Sequence, residues 1–428
     1  MNVAIVGYGG EGQSSYAYYK ALGATITIVD ESDVPKSPLP KDVKTLFGVG
    51  VLDRLQGFDL VLRTPPISPA RIKTDGIIWS ATNEFFRVCP CPIIGVTGTK
   101  GKGTTATLIH KMLTTSGRTS HLVGNIGTPA LSELASIKPD HFVVFELSSF
   151  QLWDLNFAPQ VAVLLMVEAE HQDVHGSIEE YVAAKGHITL HQREDAVLIH
   201  HPTNTYVQQI VATSRARKIP FMQPGAAQVI NDQIVIDEKV ICSVSEVGLL
   251  GNHNLENVCA AVTAAWQFTK DIPAIAHTIT SFKGLEHRLE FVAEKSGVRY
   301  FDDSQSTVPV STIAALNSFA EKSVVILGGS DKGLDLTPVT DALDPEKHFA
   351  ILIGKMSSQL QSQLDARSFT NYINLGSDTT MEKIVAEATR HATSGGVVLL
   401  SPACASFGMF KDYIDRGVQF RSAVEALA

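Results

Sequence analysis

The sequence lacks the features of membrane-anchored, nucleic-acid-binding and secreted proteins. No apolar run in its 428 residues approaches the roughly 18 that a membrane helix requires, so no membrane partner is expected. Its 35 Lys and Arg residues are outnumbered by 44 Asp and Glu, and a net charge of −9 disfavours a nucleic-acid partner. The opening residues 1–7 carry no basic segment or cleavage pattern and are interpreted as a strand, not a signal peptide.

Cysteine is also scarce. The chain has five cysteines, and Cys89-Pro90-Cys91 is not the C-x-x-C spacing of zinc or redox sites. An odd count without a metal-binding pattern predicts free buried thiols in a reducing compartment, so a cytoplasmic location is expected.

What is present indicates an α/β protein of several domains. The length suggests roughly three domains. Apolar residues make up 44% of the chain and charged residues 18%, as in globular proteins. Strand and helix patterns alternate, with boundaries expected between residues 1–90, 91–285 and 286–428.

The most informative stretch is residues 93–104, which read as a buried strand, a Gly-rich loop and the start of a helix. Backbone N–H groups freed by glycine, a helix N-terminus and a lysine together suit nucleotide phosphates. The strict P-loop pattern fails twice, because its first glycine falls on Val96 and its final hydroxyl residue on Gly103. An ordinary strand-to-helix turn is the alternative. The predicted phosphate-binding residues are Gly98, Thr99, Lys100, Gly101, Lys102, Gly103 and Thr104.

A second Gly-rich turn follows the first predicted strand, at residues 3–6. Gly7, Gly9 and Gly12 form a G-x-G-x-x-G, and Asp30 closes the next strand, where it could hold a ribose or base. Such turns also bind flavins or nucleotide sugars, or bind nothing.

Carboxylates and a histidine predict a magnesium site in the middle of the chain. Glu146 ends the apolar run 142–145, at the strand tip where folds with phosphate loops hold Mg²⁺. His171 and His175 flank Asp173 without a third soft ligand, which favours a hard cation beside one histidine over a transition metal. A capping acid and a polar loop are the alternatives.

The last third of the chain predicts three loops at one sheet edge, at residues 302–307, 328–333 and 401–406. Each follows a predicted strand, and strand ends of a parallel sheet meet at one edge, where a small anionic substrate could bind. Cys404 in the third loop is interpreted as a packed thiol, because no base is identifiable near it. Before these loops, Asn254 and Asn257 share a helix face that suits a base edge or a helix cap.

Several of these motifs, taken in order and spacing, resemble the Mur ligases over nearly the whole chain. They lie at residues 98–102, 124–127, 146–152, 183–185, 253–257, 287–288 and 400–406. The resemblance implies an N-terminal Rossmann-like domain for a uridine nucleotide sugar, a central P-loop ATPase and a C-terminal Rossmann-like domain for an amino acid. It implies an ATP- and Mg²⁺-dependent ligase of peptidoglycan precursor synthesis.

Within that family, the motifs are most like those of members that add D-glutamate. The implied substrates are UDP-N-acetylmuramoyl-L-alanine and glutamate, which would be joined through an acyl phosphate. A cytoplasmic monomer is expected.

The resemblance also implies roles for individual residues. Lys102, His171 and Lys185 are expected to be catalytic, with Lys185 carbamylated and, like Glu146 and His171, a metal ligand. The loop residues named above would bind ATP together with Asn254, Asn257, Arg288 and Asp303. The nucleotide sugar would lie along Gly10, Glu11, Asp30, Thr64 and Asn125. The amino-acid pocket would comprise Thr307, Lys332, Ser406 and Phe407.

The chain departs from the family pattern at a few positions. Gly103 replaces a hydroxyl residue, as in folylpolyglutamate synthase, and Gln305 replaces a lysine. The other departures are Met166, Glu168, Glu170, Val308 and Pro309.

These departures leave rival hypotheses. They are an L-glutamate ligase, a folylpolyglutamate-type ligase and a nucleotide-sugar-binding protein without catalysis. The dinucleotide-like first domain disfavours the folate enzyme. Retention of the expected catalytic and metal-binding residues opposes a pure binder.

Overall fold

The computed structural model describes residues 1–32, 37–170, 172–249, 251–331 and 334–427, without the side chains of residues 172, 173, 252 and 253. The chain divides into two compact units, Met1–Phe282 and Lys283–Ala428. The predicted α/β class with parallel sheets is confirmed. The boundary at residue 90 and the one at 285/286 stay predictions.

The first unit begins with a five-stranded parallel sheet in the order β3-β2-β1-β4-β5. Residues 3–6 of its central strand are all buried, as expected of a parallel strand covered on both faces. The strand order reverses between β1 and β4, and open α/β sheets bind ligands at such a reversal. The elements are β1 (Asn2–Val6), α1 (Gly10–Ala21), β2 (Thr25–Asp30), β3 (Lys44–Phe47), β4 (Leu60–Arg63), β5 (Ile77–Ser80) and α2 (Ala81–Val88).

A six-stranded parallel sheet follows in the same unit, in the order β11-β10-β9-β6-β8-β7. Its strand β6 lies at the middle, and all five of its residues are buried. The elements are β6 (Ile93–Thr97), α3 (Lys102–Thr115), β7 (Ser120–Gly124), α4 (Ala130–Glu133), β8 (Phe142–Glu146), α5 (Ser149–Leu152), β9 (Val161–Leu164), α6 (Gln172–His175), α7 (Ile178–Leu190), β10 (Val197–His200), α8 (Thr205–Thr213) and β11 (Arg217–Pro220).

A small antiparallel sheet and two helices complete the first unit. They are β12 (Gln228–Ile230), β13 (Gln233–Ile236), β14 (Lys239–Ser243), α9 (Asn252–Ala265) and α10 (Ile272–Ser281). Helix α9 packs along α3, the helix that follows the Gly-rich loop.

The second unit is built on a six-stranded sheet in the order β15-β16-β20-β17-β18-β19. Only its edge strand β15 runs antiparallel to its neighbour. The elements are β15 (Glu290–Lys295), β16 (Val298–Asp302), α11 (Pro309–Leu316), β17 (Ser323–Gly328), α12 (Thr337–Asp341), β18 (His348–Ile353), α13 (Ser357–Ala366), β19 (Tyr372–Gly376), α14 (Met381–His391), β20 (Val397–Leu400) and α15 (Tyr413–Glu425).

Two elements have bounds that their apolar runs do not show. The apolar run 161–167 is not one strand: β9 ends at Leu164, and beyond it the Met166 carbonyl accepts the Thr99 N–H at 2.8 Å. Helix α9 contains the run 258–265 but begins earlier, at Asn252, after Gly251 at φ +91°. The residues just after β9 and the first turns of α9 both contact the Gly-rich loop.

Along the described parts of the chain, no helix has both the length and the apolar character needed to cross a membrane.

Candidate functional site

The loop between β6 and α3 has the backbone of a phosphate cradle. Gly98 and Gly101 have φ of +155° and +82°, values that side chains disfavour. A Cβ at Gly101 would lie 2.1 Å from Asn257 Oδ1, and one at Gly98 would lie 2.7 Å from Leu165 Cβ. The loop therefore needs glycine at both positions, and it leads into the N-terminus of a 14-residue helix, where anions bind well. This backbone fits the phosphates of a nucleotide.

The side chains of this loop are held by its neighbours. Lys102 Nζ donates to the Thr99 carbonyl at 3.0 Å. Thr99 Oγ1 accepts the Glu168 N–H at 2.9 Å and lies 3.0 Å from the Tyr181 hydroxyl. Lys100 is exposed, 3.9 Å from the Glu168 carboxylate. Lys102 therefore lies against the loop, whereas Lys100 is directed toward solvent.

Lys185 lies directly beneath the loop. Its Nζ donates to the Gly98 carbonyl at 2.7 Å and lies 4.6 Å from the centre of the Tyr181 ring. The side chain is 1% exposed. Burial and, after it, the charge of Lys102 hold the pKa of Lys185 well below its ordinary value, while Glu170 and Glu146 partly oppose that shift. The local helix pattern around Lys185 is also that of an exposed lysine, so its burial comes from the tertiary structure.

Glu146 ends β8 with a 3% exposed side chain. The Asn125 N–H donates to the Glu146 carbonyl at 3.2 Å, and a Cβ at Gly124 would lie 2.3 Å from the same oxygen. The loop at 124–127 is thereby packed against the strand end. A buried carboxylate and an amide side chain supply hard oxygen ligands that fit Mg²⁺. His171 lies outside the described residues.

His175 is buried among aromatic side chains. It is 1% exposed, with Nε2 2.9 Å from Ser149 Oγ. Its ring contacts the rings of Phe150, Trp153 and Tyr181. His175 is thus part of an aromatic cluster.

Asn254 and Asn257 lie together on α9, as the i, i+3 spacing predicts. Asn257 Nδ2 donates to Asn254 Oδ1 at 3.0 Å, and Asn257 Oδ1 accepts from Thr105 Oγ1 at 3.4 Å. The pair therefore contacts α3 just behind the phosphate loop. At the start of that helix Gly103 is buried and Thr104 is half-buried.

The Gly-rich turn after β1 lies at the reversal of strand order. A Cβ at Gly12 would lie 2.2 Å from the Gly7 carbonyl, so glycine allows α1 to approach the turn closely. Thr64 Oγ1, after β4, donates to the Val6 carbonyl at 2.8 Å. Asp30 ends β2 and its carboxylate accepts the Ser32 N–H at 3.0 Å.

Gly10 and Glu11, also predicted to bind the nucleotide sugar, differ in their exposure and contacts. Gly10 is exposed, whereas Glu11 accepts from Gln151 Nε2 at 2.6 Å. Burial raises the pKa of Glu11, opposed by that hydrogen bond and by the charge of Arg63. Glu11 therefore joins the turn to the end of α5.

The three predicted loops of the second unit meet at one sheet edge, as expected from the strand order. The Gly328 N–H donates to the Pro402 carbonyl and the Ser330 N–H to the Ala405 carbonyl, both at 2.8 Å. Ala403 N donates to the Ser306 carbonyl at 3.0 Å.

Asp303 is the buried acid of these loops. Its Oδ2 accepts from Ser401 Oγ at 2.6 Å and its Oδ1 from the Leu289 N–H at 3.1 Å. Burial raises the pKa of Asp303 to about 6, although hydrogen bonds from Ser306 and Ser401 and the charge of Arg288 oppose the shift. Arg288 itself is exposed.

The described residues predicted for the amino-acid pocket lie on these loops and differ in how exposed they are. Ser406 is buried and Phe407 is 60% exposed. Thr307 is half-buried, and its N–H donates to the Gln305 carbonyl at 2.9 Å. Gln305 in turn donates its N–H to the His287 carbonyl at 3.0 Å. Lys332 lies outside the described residues.

Sequence reasoning missed Arg416, which joins two of the loops. This 0% exposed arginine donates Nε to Ser304 Oγ at 2.9 Å, Nη2 to the Ser304 carbonyl at 2.8 Å and Nη1 to the Cys404 carbonyl at 3.2 Å. Burial lowers the pKa of Arg416 to about 10. Its signal in the sequence is an arginine within the apolar stripe of α15, four residues before buried Phe420.

Two family models match the chain. The Mur ligase middle domain matches residues 96–265, and the Mur ligase glutamate ligase domain matches residues 287–404. Relatives named UDP-N-acetylmuramoylalanine--D-glutamate ligase align with 99% of the chain and 96% of their own length. Those from Acetivibrio thermocellus and Clostridium tetani are 37% and 35% identical to it.

Solved structures share the fold at lower identity. UDP-N-acetylmuramate-alanine ligase from Thermotoga maritima aligns with 100% of the chain and 99% of its own, with a TM-score of 0.56 and 14% identity. MurF ligase from the same organism, in complex with ADP, aligns over 100% and 95%, with a TM-score of 0.54 and 19% identity. The predicted architecture, an α/β fold with a Rossmann-like region on each side of a P-loop region, agrees with these likenesses.

Proposed function

Because this chain belongs to the Mur ligase family, we propose that it is the ATP-dependent ligase that adds D-glutamate to UDP-N-acetylmuramoyl-L-alanine in peptidoglycan precursor synthesis. The names of relatives that are 31–37% identical across 99% of the chain support this choice of substrates. The observation that carries the chemistry is Lys185, buried under the phosphate loop with its Nζ on the Gly98 carbonyl.

In the first step, a carboxylate oxygen of the nucleotide sugar's alanine attacks the γ-phosphorus of ATP. The bond from that phosphorus to the bridging oxygen breaks, ADP leaves and an acyl phosphate remains. Most of the catalysis in such a transfer is positioning and charge neutralisation. The amides of residues 98–103 would hold the phosphates, and Lys102 would release the Thr99 carbonyl to reach the outer ones.

In the second step, the amine of glutamate attacks the acyl carbon. A tetrahedral intermediate forms, the carbon–oxygen bond to phosphate breaks, and the nitrogen loses a proton as the amide forms. Thr307, Lys332, Ser406 and the backbone of Phe407 would hold the glutamate. In the described loops, Arg416 and Asp303 fix the backbone that carries Thr307 and Ser406.

Magnesium bound here would neutralise charge on the transferring phosphoryl group. Glu146, His171 and Asn125 would contribute its ligands, since Gly103 has no hydroxyl. Lys185, as a carbamate, would be a further ligand. A neutral lysine amine adds to CO₂ through its lone pair and releases one proton, and the depressed pKa of Lys185 favours that neutral form.

The remaining site assignments belong to the same proposal. Asn254, Asn257, Arg288 and Asp303 would contact the adenine, ribose and phosphates. The turn with Gly10 and Glu11, together with Asp30, Thr64 and Asn125, would bind the uridine diphosphate. The enzyme is proposed to work as a cytoplasmic monomer.

Gln305 supports a second hypothesis about the amino-acid substrate. The family's lysine at this position is absent, and here the neutral Gln305 side chain lies near Tyr413. Without that lysine, contacts to glutamate can differ, so an L-glutamate ligase is the competing hypothesis.

A coupled assay of ADP release distinguishes these functions. With Mg²⁺, ATP and UDP-N-acetylmuramoyl-L-alanine, turnover is expected with D-glutamate and at least about tenfold less with L-glutamate, a difference of about 1.4 kcal/mol in transition-state binding. Omission of either the nucleotide sugar or the amino acid should abolish it. Faster turnover with L-glutamate would reverse the specificity, and no turnover with either amino acid would favour a binding protein.

A further inference from the structure

The sequence Cys89-Pro90-Cys91 joins α2 to β6, and its backbone is fixed on both sides. The Cys89 N–H donates to the Phe85 carbonyl at 2.8 Å, which ends α2. The Pro92 carbonyl accepts the Val143 N–H at 3.0 Å, which aligns the start of β6 with β8. Two cysteines are therefore presented on a short, anchored segment.

The two thiols are in contact. Their sulfurs lie 3.8 Å apart, about 1.8 Å farther than in a disulfide of about 2.05 Å. Cys89 is partly exposed, whereas Cys91 is 9% exposed and packs in the core of the first unit. The other three cysteines of the chain, Cys242, Cys259 and Cys404, are buried. An incoming reagent therefore meets Cys89 first, with Cys91 directly behind it.

We propose that Cys89 and Cys91 form a reversible thiol–disulfide exchange site that reacts with low-molecular-weight disulfides, independently of the ligase reaction. Cys89 is the attacking thiol and Cys91 the resolving thiol. The site needs no partner protein, since both sulfurs come from one tripeptide.

The acid–base properties of the pair agree with this division of roles. The hydrogen bond from the Cys91 thiol lowers the pKa of Cys89, although burial opposes the shift. The same bond and burial raise the pKa of Cys91. The thiolate is the nucleophile in exchange, so the more exposed sulfur is also the more reactive one.

The exchange balances without a further reactant. The Cys89 thiolate attacks one sulfur of a disulfide RSSR, whose S–S bond breaks and releases one RS⁻, which takes up a proton. The Cys91 thiol then loses its proton and attacks Cys89 Sγ, forming the Cys89–Cys91 bond and releasing the second RS⁻. The protein loses two hydrogens, and RSSR is reduced to two RSH.

Oxidised glutathione, added to the full-length native protein, tests the proposal. After acid quenching, the intact mass should fall by about 2 Da, the mass of two hydrogens. Titratable thiols in denaturant should fall from five to three, and excess reduced glutathione should restore them. Trypsin cleaves after Arg87 and Lys100, so both cysteines lie in one peptide that should carry the whole mass change.

Variants separate the two sulfurs. Cys91→Ser should retain a glutathione adduct on Cys89, because no resolving thiol remains. Cys89→Ser should form neither a glutathione adduct nor a disulfide. Cys242→Ser, at a buried thiol, is the matched control and should still lose about 2 Da. Retention of all five thiols by the native chain, a lasting adduct without closure, or a disulfide mapped to another pair would overturn the proposal.

Discussion

At the scale of single residues, burial gives Lys185 and Asp303 protonation properties that their sequence neighbours do not predict. Each is nearly inaccessible, and in both cases desolvation is the largest cause of the pKa shift. The shift favours the neutral form of each side chain. A neutral Lys185 amine can react with CO₂, whereas both carboxylate oxygens of Asp303 accept hydrogen bonds.

Replacing Lys185 with alanine should lower kcat on the order of 100-fold, because the proposed carbamate would be lost from the charge-neutralising groups. Small carboxylates such as acetate should restore part of the turnover, which an ADP-release assay would measure. Lys218→Ala, at an exposed lysine, is the control and should retain full activity. Undiminished kcat in the Lys185→Ala protein would remove Lys185 from the mechanism.

Asp303 should make the stability of the protein depend on pH between about 4 and 6. Its folded pKa of about 6 exceeds the unfolded value of about 3.9, so over this range the folded state binds more protons than the unfolded state. Stability should therefore fall as pH rises, by on the order of 3 kcal/mol in total, and then level off. Thermal unfolding of Asp303→Asn across this range should show a smaller decline; an unchanged slope would place the titrating group elsewhere.

At the scale of elements, the two ends of helix α3 differ in how strictly they require glycine. Gly101 at its N-terminus and Gly117 beyond its C-terminus have nearly equal φ, +82° and +78°. A Cβ at Gly101 would meet Asn257 at 2.1 Å, whereas nothing lies within 4 Å of one at Gly117. Only the N-terminal glycine is required by packing as well as by backbone conformation.

Gly101→Ala should therefore be more damaging than Gly117→Ala. Both changes place alanine at positive φ, at roughly 1–2 kcal/mol each, but only the first forces the loop away from Asn257. We expect Gly101→Ala to raise the KM for ATP at least about tenfold, and Gly117→Ala to lower the unfolding temperature while leaving KM near its original value. Gly101→Ala combined with Asn257→Ala should lose less affinity than the two single changes added together, because the clash between them is gone. Equal KM values for the two alanine variants would show that the contact is unimportant.

At the scale of the whole molecule, the first unit joins two parallel sheets through an ion pair between a buried arginine and a partly exposed aspartate. Arg63, at the end of β4, is fully buried and forms a bidentate ion pair with Asp154, which follows α5. Asn83 adds two hydrogen bonds, to the Asp154 carbonyl at 2.9 Å and from the Asn156 N–H at 2.8 Å. These contacts fix the end of β4 relative to the central sheet, and the hydrogen bond from Gln151 to Glu11 does the same for the start of α1.

Asp154→Ala should strongly destabilise the first unit. It leaves the Arg63 charge buried without its partner, a change that costs about 3–5 kcal/mol in other proteins. Glu31→Ala removes an ion pair with Arg71 that is largely exposed and should cost less than about 1 kcal/mol. Denaturant unfolding would compare the two variants. Arg63→Met combined with Asp154→Leu should recover stability; similar losses in Asp154→Ala and Glu31→Ala would mean that the pair does not join the sheets.

The sequence by itself determined the α/β class, most strands and the Gly-rich loops. These follow from local causes: apolar runs such as 93–97 must be buried, and glycines such as Gly98 permit backbone that other residues disfavour. The convergence of the three C-terminal loops was also predictable, since it follows from the ends of parallel strands. The family resemblance supplied the expected roles of the residues.

Only the tertiary structure decided which polar groups lose water and which partners they meet. In the sequence, Lys185 and Arg416 occupy ordinary helix positions. Residues distant along the chain bury both side chains and supply their hydrogen-bond acceptors. The end of β9 likewise depends on a neighbour that no local pattern specifies. Burial and electrostatics are sums over spatial neighbours, so the folded chain alone sets the chemistry of these side chains.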